Sequence, residues 1–240
     1  MIRLHVEVDL ADGRDLVLPD AQARYLTQVM RRGPGDEILV FNGRDGEWLA
    51  AIAEASRRAT RLTLLRRTRA QPPRGNLALV MALVKRTPLE TVVAKAVELG
   101  VSEIHLVTTE RTHAEHTRIE RLEAIAAEAA EQTGRLDVPE IHAPEPLSRA
   151  LDARLGGGRL VFCDEAGDAP PLLEALDGQP PGPLAVLIGP EGGFSTSERA
   201  SLRSRKGVIA VSLGPRILRA DTAALSALTV VQAVLGDWRT

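Results

Sequence analysis

The sequence predicts an α/β protein with a mostly parallel sheet, preceded by a small β-barrel. Up to about residue 72 the chain reads as short apolar strands separated by turns. After residue 76, apolar strands alternate with helices, which is the pattern of an α/β domain. The turn-rich basic stretch RAQPPRGN at 69–76 lies between the two patterns. We therefore expect one domain at residues 1–72 and a second at residues 76–240.

Composition, the length of the apolar runs and the single cysteine indicate what kind of protein this is. Of 240 residues 44% are hydrophobic, and 30 basic residues face 32 acidic ones, which is a globular composition and excludes disorder, a collagen-like repeat or a coiled coil. The longest apolar run, at 77–84, is far shorter than the ~20 residues of a membrane span. The single cysteine, Cys163, cannot form a disulfide within the chain, and its apolar run LVFCD predicts a buried core thiol. We expect a soluble, cytoplasmic protein without a membrane segment.

The first domain is predicted to contain five short strands and one helix. The turn NGRDGE at 42–47 separates two strands, and the helix covers residues 21–31 after Asp20 as N-cap. Several short strands in about 70 residues suggest a small barrel. The strand segments are RLHVEV, DLVLP, EILVFNG, EWLAAIAEA and RLTLLRRT.

Charge is distributed unevenly between the two halves. Residues 1–75 hold 13 arginines and no lysine against 10 acidic residues, whereas residues 76–240 hold 17 basic against 22 acidic residues. The first domain is therefore the better candidate for binding a polyanion. On sequence alone, RNA contact and a plain solvated surface have equal weight for its arginines. The candidates are Arg24, Arg31, Arg32, Arg57, Arg58, Arg66 and Arg67.

The second domain opens with a strand and a helix whose boundaries are marked. NLALVMALV is a continuous apolar run, as expected for a parallel strand buried on both faces. In the following helix, Thr87 is the predicted N-cap, Pro88 the first residue, Glu90 the partner in a capping box and Gly100 the C-cap. The remaining predicted elements are, in order, strand SEIHLVT, helix 115–133, strand PEIHA, helix 146–155, strands RLVFCD and LAVLI, helix 196–205, strand VIAVSL and helix 222–235.

The first candidate functional loop is IGPEGGFS at 188–195, which follows strand LAVLI. Its three glycines allow a ligand to approach the backbone closely, and Ser195 with Glu198 forms a capping box for the next helix. The loop matches neither the P-loop nor the Rossmann fingerprint, and Glu191 argues against a phosphate ligand. The alternative is a plain strand-to-helix turn, but such a turn needs one glycine and this loop has three. We favour a ligand-binding loop, because parallel sheets bind ligands at the carboxyl ends of their strands.

The second such loop is LGPRILRADTAA at 213–224, which follows strand VIAVSL. Arg216 and Arg219 could hold an anionic or polar planar substrate, while Asp221 orients an arginine or accepts a proton. On spacing alone, a purely structural role for these three residues has the same weight as a role in substrate binding. In that case Asp221 is the N-cap of the last helix and the arginines are surface charges.

No metal site or common hydrolase signature is predicted. The five histidines do not form a metal-ligand set, and the spacing of His113 and His116 lacks a second ligand pair. Neither GxSxG nor HExxH occurs.

Taken together and in order, five segments resemble the RsmE family of ribosomal RNA small subunit methyltransferases, a branch of the SPOUT methyltransferases. They extend across almost the whole second domain, and the last two together are specific. The first domain is similar in length and strand content to the PUA-like RNA-binding barrel of that family. The segments are KAVELGV at 95–101, TERT at 109–112, AAEQTGR at 129–135, IGPEGGFS at 188–195 and LGPRILRADTAA at 213–224.

The resemblance implies a homodimeric enzyme that uses S-adenosylmethionine to methylate N3 of a uridine in 16S rRNA of the small ribosomal subunit. It also implies a C-terminal trefoil knot and no metal. Arg219, with Arg216 as second choice, would stabilise the uridine anion, and Asp221 would orient the arginine or help remove the proton. Asp221 stands where the family usually has Glu. The implied cofactor-binding residues are Thr108, Glu110, Leu187, Ile188, Gly189, Pro190, Glu191, Gly192, Gly193, Ser212, Leu213, Gly214, Ile217 and Leu218.

Two other functions remain open on the sequence. One is a different SPOUT activity, such as ribose 2'-O methylation of tRNA. The other is a ribosome-assembly factor that binds RNA without catalysis. The predicted RNA contacts of the first domain are Arg24, Arg31 and Arg32.

Overall fold

The chain folds into two compact units. The structure, a computed structural model, describes residues 1–56, 59–113, 117–154, 158–166 and 168–239. The first unit comprises Met1–Arg74 and Ala127–Val138, and the second comprises Gly75–Ala126 and Pro139–Thr240. The segment Ala127–Val138 thus belongs to the first unit, although the sequence analysis assigns it to the second domain.

The elements are numbered in chain order. The strands are β1 Arg3–His5, β2 Asp15–Val17, β3 Glu37–Phe41, β4 Glu47–Ala55, β5 Thr60–Arg69, β6 Leu77–Ala82, β7 Glu103–Thr108, β8 Glu140–Pro146, β9 Arg159–Cys163, β10 Leu184–Ile188 and β11 Val208–Val211. The helices are α1 Asp20–Arg24, α2 Arg86–Glu98, α3 Ile119–Thr133, α4 Leu147–Arg154, α5 Leu172–Leu176, α6 Thr196–Ser204 and α7 Ala220–Leu235, with a π-helical turn at Tyr25–Val29 and a 3₁₀ turn at Asp237–Arg239.

The first unit is a five-stranded sheet over one apolar core. Its strand order is β1-β3-β4-β5-β2, with β1 parallel to β3 and the other pairs antiparallel. Within the described residues β1 and β2 are edges, so hydrogen bonds do not close a barrel. The predicted turn between β3 and β4 is present. Gly43 and Gly46 have φ of +77° and +85° there, and a Cβ on Gly46 would collide with the carbonyl oxygen of Arg69.

The helix predicted at 21–31 is divided into two parts. Helix α1 begins at Asp20 itself, with Pro19 as its N-cap, so the prediction that Asp20 is the N-cap is wrong. Residues Tyr25–Val29 continue it as a π-helical turn. Arg31 then ends the helix in the left-handed region, at φ +52°, while the Arg32 amide donates to the Leu26 carbonyl at 2.9 Å. This is the geometry of a helix C-cap, with an arginine in a position that favours glycine.

Arg3 explains why Ala127–Val138 belongs to the first unit. Its guanidinium donates to the carbonyl oxygens of Ala130, Glu131 and Arg135 at 2.9, 3.0 and 2.6 Å. It also forms a 2.8 Å ion pair with the buried Glu47 of β4. A cation at the carbonyl end of a helix satisfies acceptors that have no partner within the helix and also interacts favourably with the helix dipole.

The second unit is a six-stranded sheet with strand order β11-β9-β10-β6-β7-β8. Every described strand pair in it is parallel, which confirms the predicted sheet type. All five residues of β10 are buried, as expected for a strand covered on both faces. The trefoil knot stays a prediction.

Several boundaries in the second unit differ from the sequence prediction. Helix α2 begins at Arg86 with Lys85 as N-cap, so the predicted N-cap Thr87 lies inside it, and Glu90 forms an ion pair with Arg86 at 2.8 Å instead of a capping box. Gly100 does adopt a positive φ, +81°, after the helix. Strand β8 extends to Pro146, and the short helix α5 is absent from the prediction.

The described part of the chain contains no helix that is long and apolar enough to cross a membrane.

Candidate active site

A pocket of about 590 Å³ lies at the carboxyl ends of β9, β10 and β11. These three strands are neighbours and parallel, so the loops that follow them meet at one edge of the sheet. This is the position at which parallel sheets bind ligands. The lining residues are Cys163, Asp164, Glu165, Ala169, Pro171, Ile188, Gly189, Pro190, Glu191, Gly193, Ser212, Leu213, Gly214, Pro215, Arg216, Ile217, Leu218, Arg219, Ala220 and Ala223.

The segment 188–195, which we call the glycine loop, forms one wall of the pocket. A Cβ on Gly189 would lie 2.7 Å from Cε2 of Phe194, whose ring is buried edge-on against Phe162. Gly193 has φ +67°, and a Cβ there would collide with the Glu165 carboxylate. The loop therefore needs glycine at 189 because of close packing and at 193 because of its positive φ.

The predicted capping box at the start of α6 is present. The Ser195 hydroxyl accepts from the Glu198 amide at 3.1 Å, and the Glu198 carboxylate accepts from the Ser195 amide at 2.9 Å. These two bonds fix the point at which the glycine loop becomes a helix.

The segment 212–220, which we call the arginine loop, forms another part of the pocket lining. Gly214 has φ +108°, and Arg216, Ile217 and Arg219 are exposed along the pocket. Neither guanidinium takes part in an ion pair within the described ranges of the chain. Both cations are therefore available to a negatively charged ligand.

Asp221 lies outside the pocket lining. Helix α7 begins at Ala220 with Arg219 as N-cap, so the alternative in which Asp221 is the N-cap is wrong. The Asp221 carboxylate accepts from the Thr222 amide at 2.8 Å. An acidic residue in the first turn of a helix interacts favourably with the helix dipole, and Asp221 remains two residues from Arg219.

Most of the predicted cofactor residues line the pocket, and four do not. Leu187 is fully buried in β10, Gly192 faces Arg111, and Thr108 and Glu110 belong to the end of β7 and its loop. The residues that do line it are Ile188, Gly189, Pro190, Glu191, Gly193, Ser212, Leu213, Gly214, Ile217 and Leu218.

Sequence reasoning missed two acidic residues of the pocket, Asp164 and Glu165. The Asp164 carboxylate has no exposed area and forms ion pairs with Arg199 at 2.8 Å and Arg203 at 2.7 Å. Burial acts to raise the pKa of this carboxyl, but hydrogen bonds from the two arginines outweigh burial and hold the pKa below its usual range. Glu165 accepts from the Phe194 amide at 3.1 Å. Only their place after an apolar strand could have suggested them.

Cys163 lies at the base of the pocket and is buried. Burial raises the pKa of its thiol to about 12. The thiol is therefore neutral at physiological pH, which agrees with a structural role and disfavours a nucleophilic one.

Two of the histidines meet on one face of the second sheet, at β7 and β8. His105 and His142 are register partners whose rings stack with centroids 4.3 Å apart and planes inclined by 12°. The Glu103 carboxylate is 3.2 Å from Nε2 of His105 and 3.8 Å from Nε2 of His142. Imidazole nitrogens bind a metal in the plane of the ring, and two parallel rings do not direct their lone pairs to one point. We therefore assign no metal to this group. His113 is exposed, and His116 lies outside the described residues.

The predicted RNA contacts lie around the end of α1 and the π-helical turn of the first unit. Arg24 is exposed at the end of α1, and Arg31 and Arg32 are exposed just after the turn. Tyr25, Val29 and Met30 are exposed on the same segment. Arg57 and Arg58 lie outside the described residues.

Both units of the chain match known protein families. A family model described as an RNA methyltransferase PUA domain matches residues 18–65, and one described as an RNA methyltransferase domain matches residues 70–232. These matches define the class as RNA methyltransferases in which a PUA domain precedes the methyltransferase domain.

Individual relatives narrow this class. The chain is 32% identical over 226 residues to ribosomal RNA small subunit methyltransferase E of Synechocystis, covering 92% of this chain and 73% of the relative. It is 28% identical to the protein of that name from Rickettsia conorii, over 96% and 94% of the two chains. The crystal structure of a ribosomal RNA small subunit methyltransferase E from Neisseria gonorrhoeae, bound to S-adenosyl methionine, superimposes with a TM-score of 0.84 at 28% identity and 98% coverage of both chains. The chain therefore belongs to the ribosomal RNA small subunit methyltransferase E family.

Proposed function

We propose that this protein transfers a methyl group from S-adenosylmethionine to N3 of a uridine in the 16S rRNA of the small ribosomal subunit. The observation that carries the proposal is the pocket at three strand ends, which is lined both by the glycine loop and by Arg216 and Arg219, neither of which forms an ion pair among the described residues. Its relatives are named ribosomal RNA small subunit methyltransferase E, and the structure of one protein of that name holds S-adenosyl methionine.

The pocket suits the proposed cofactor in size and in chemistry. Its volume of about 590 Å³ lies within the range of about 300–1,000 Å³ that is usual for small-molecule sites. Ile188, Leu213 and Leu218 offer apolar contact for a planar base, and the backbone groups of both loops offer hydrogen bonds. Glu165 and Glu191 supply negative charge for the cationic parts of the molecule. We assign cofactor binding to the lining residues of the glycine loop and the arginine loop.

The arginines are proposed to stabilise the reacting base. When bound, S-adenosylmethionine supplies a methyl group that its sulfonium has already activated. Loss of the N3 proton leaves a negative charge that spreads over O2 and O4 of the uracil ring. Arg219, with Arg216 as second choice, stabilises this charge in the transition state. Asp221 orients Arg219 by its charge or helps to take up the proton, with a shorter side chain than the Glu of the family motif.

The first unit is proposed to hold the RNA. N3 lies on the Watson–Crick edge, so the target uridine must be unpaired or flipped out before attack. Arg24, Arg31 and Arg32 would contact phosphates, which position the RNA without reading its sequence.

We further propose a cytoplasmic homodimer with a C-terminal trefoil knot and no bound metal. Support for the dimer comes from apolar side chains of the second unit that are exposed in a single chain. Ile217 is 87% exposed, Leu173 64% and Trp238 53%. Contact with a second copy would remove these side chains from water.

The test is a labelled-methyl assay on small subunits that lack the modification, followed by nucleoside analysis. We expect label in 3-methyluridine and a reverse-transcription stop at one uridine, since N3 methylation blocks base pairing. Label in a 2'-O-methylated nucleoside would indicate the alternative SPOUT activity. Binding of RNA without any binding of S-adenosylmethionine would indicate an assembly factor.

A further inference from the structure

The loop after β7 lies against the outer side of the glycine loop. This segment, Thr109–Thr112, is closed on itself, since the Thr112 amide donates to the Thr109 carbonyl at 3.1 Å and the Thr109 amide donates to the Thr112 hydroxyl at 2.9 Å. From this closed turn, Arg111 Nη1 donates to the carbonyl oxygen of Gly192 at 3.1 Å. We call Thr109–Thr112 the bracing turn.

Two further bonds join the bracing turn to the start of α6. The Glu110 amide donates to Oε1 of Glu198 at 2.9 Å, and the Ser197 hydroxyl donates to the Glu110 carboxylate at 3.0 Å. The second carboxylate oxygen of Glu198 accepts from the Ser195 amide, as part of the capping box. One carboxylate therefore holds both the bracing turn and the end of the glycine loop.

The other side of the glycine loop is fixed by Glu165 and Phe194. Glu165 accepts from the Phe194 amide, and the Phe194 ring packs beneath Gly189 and against Phe162. With Gly192 held by Arg111, the loop is fixed on two sides. The residues held between these points include Gly189, Pro190 and Glu191, which line the pocket together with Ile188 and Gly193.

We propose that Arg111 is a positioning residue that fixes the pocket-facing backbone of the glycine loop for S-adenosylmethionine, although it does not line the pocket itself. The inference rests on the proposed function. A bond from a charged donor to the Gly192 carbonyl orients that peptide outward and so holds the preceding backbone in one arrangement. Preorganised backbone binds a ligand more tightly because less conformational entropy is lost on binding.

The test compares Arg111→Met with Arg111→Lys. Met keeps the apolar stem but removes the donor, whereas Lys retains a cation that can reach the Gly192 carbonyl. Arg205→Met is the matched control, because Arg205 forms a 2.6 Å ion pair with Asp152 just beyond the other end of α6. Calorimetry measures the Kd for S-adenosylmethionine, and hydrogen exchange measures the Gly193 amide, which donates to the Pro190 carbonyl at 2.9 Å.

We expect Arg111→Met to raise the Kd for S-adenosylmethionine about three- to tenfold, the loss expected for one hydrogen bond from a charged donor at an exposed site. Exchange at Gly193 should quicken in the ligand-free variant, and the KM for the cofactor should rise while kcat stays within about twofold. Arg111→Lys should restore most of the affinity, and Arg205→Met should match wild type.

Three results would overturn the inference. If wild type binds normally and Arg111→Met changes neither the Kd nor the exchange at Gly193, Arg111 has no positioning role, and the proposed function is unaffected. An equal loss of affinity in Arg205→Met would show a general effect of altering this surface. Failure of the wild-type protein to bind S-adenosylmethionine would overturn the proposed function together with the inference.

Discussion

At the scale of single residues, the chemistry of the site depends on a few groups whose surroundings differ sharply. Arg216 and Arg219 are exposed along the pocket, whereas the Asp164 carboxylate beside them is fully buried between two other arginines. Arginines thus have a structural role at Asp164, whereas the proposed role of Arg216 and Arg219 is to bind the substrate. The difference arises because charges that already neutralise each other in an ion pair attract a ligand only weakly.

Replacing Arg219 tests the catalytic assignment. We expect Arg219→Ala to lower the single-turnover rate of methyl transfer by about 10²- to 10³-fold, the usual effect of losing one donor that stabilises an anionic transition state. The Kd for S-adenosylmethionine should stay within about threefold. Arg219→Lys should retain part of the rate because it keeps the charge. Methyl transfer within a few-fold of wild type, with the cofactor bound, would exclude Arg219.

Replacing Gly189 tests the packing of the glycine loop. The Cβ of Gly189→Ala would lie 2.7 Å from the Phe194 ring, which cannot move freely because Phe162 packs on its other side. We expect a loss of about 1–3 kcal/mol in the free energy of unfolding, measured with urea, and weaker cofactor binding. Gly33→Ala is the control, since no atom lies within 4 Å of its added Cβ. Equal stability of the two variants would contradict this packing.

At the scale of elements, sequence patterns predicted the repeated strand–helix order but not every boundary. Strands β4 and β10 and the Ser195–Glu198 capping box agree with the sequence prediction, since each depends on local pattern. Helix α2 begins at Arg86, one residue before the predicted N-cap, and Arg86 pairs with Glu90 along the helix. Pro88 is tolerated there, since it lies in the first turn, where amides have no partner within the helix.

The parts of the site that sequence could not predict depend on tertiary contacts. Asp164 binds arginines 35 and 39 residues later in the chain, and Glu110 meets Ser197 across 87 residues. Nothing in the local sequence of either acid indicates these partners. The resemblance implied cofactor contact for Glu110, whereas the structure directs its carboxylate to Ser197.

The ion pairs of Asp164 fix α6 to the end of β9 and can be tested by stability. We expect Asp164→Asn to lower the free energy of unfolding by about 2 kcal/mol at pH 7, below the about 3–5 kcal/mol of fully buried pairs because Arg199 and Arg203 reach solvent. The folded-state pKa of Asp164 is lowered, so its contribution is fully present above about pH 5 and is lost as pH falls through that pKa. Urea unfolding at several pH values measures the difference. A difference that grows towards low pH would contradict the sign.

At the scale of the whole molecule, the two units divide the proposed task between binding and chemistry. Residues 1–75 hold more basic than acidic residues, and the second unit carries the pocket. If the first unit binds phosphates, affinity for small subunits must fall as salt rises, because RNA binding releases counterions.

Removing two arginines tests that division. We expect Arg31→Gln with Arg32→Gln to lower the slope of log K against log salt by about 0.7–0.9 for each phosphate that is no longer neutralised, while the Kd for S-adenosylmethionine is unchanged. Arg149→Gln with Arg205→Gln in the second unit is the charge-matched control, since it also removes two positive charges. Binding to small subunits is measured by filtration over a range of salt. If the slope equals that of wild type, Arg31 and Arg32 do not contact the phosphates of the RNA.

The central claim, that the pocket delivers a methyl group to N3 of a 16S rRNA uridine, is tested most directly by methyl transfer itself. Purified protein is incubated with labelled S-adenosylmethionine and small subunits that lack the modification, and the rRNA is digested to nucleosides. The account predicts label in 3-methyluridine from a single site, and almost none with Arg219→Ala. Label in any other nucleoside, or none from wild-type protein that binds both partners, would contradict it.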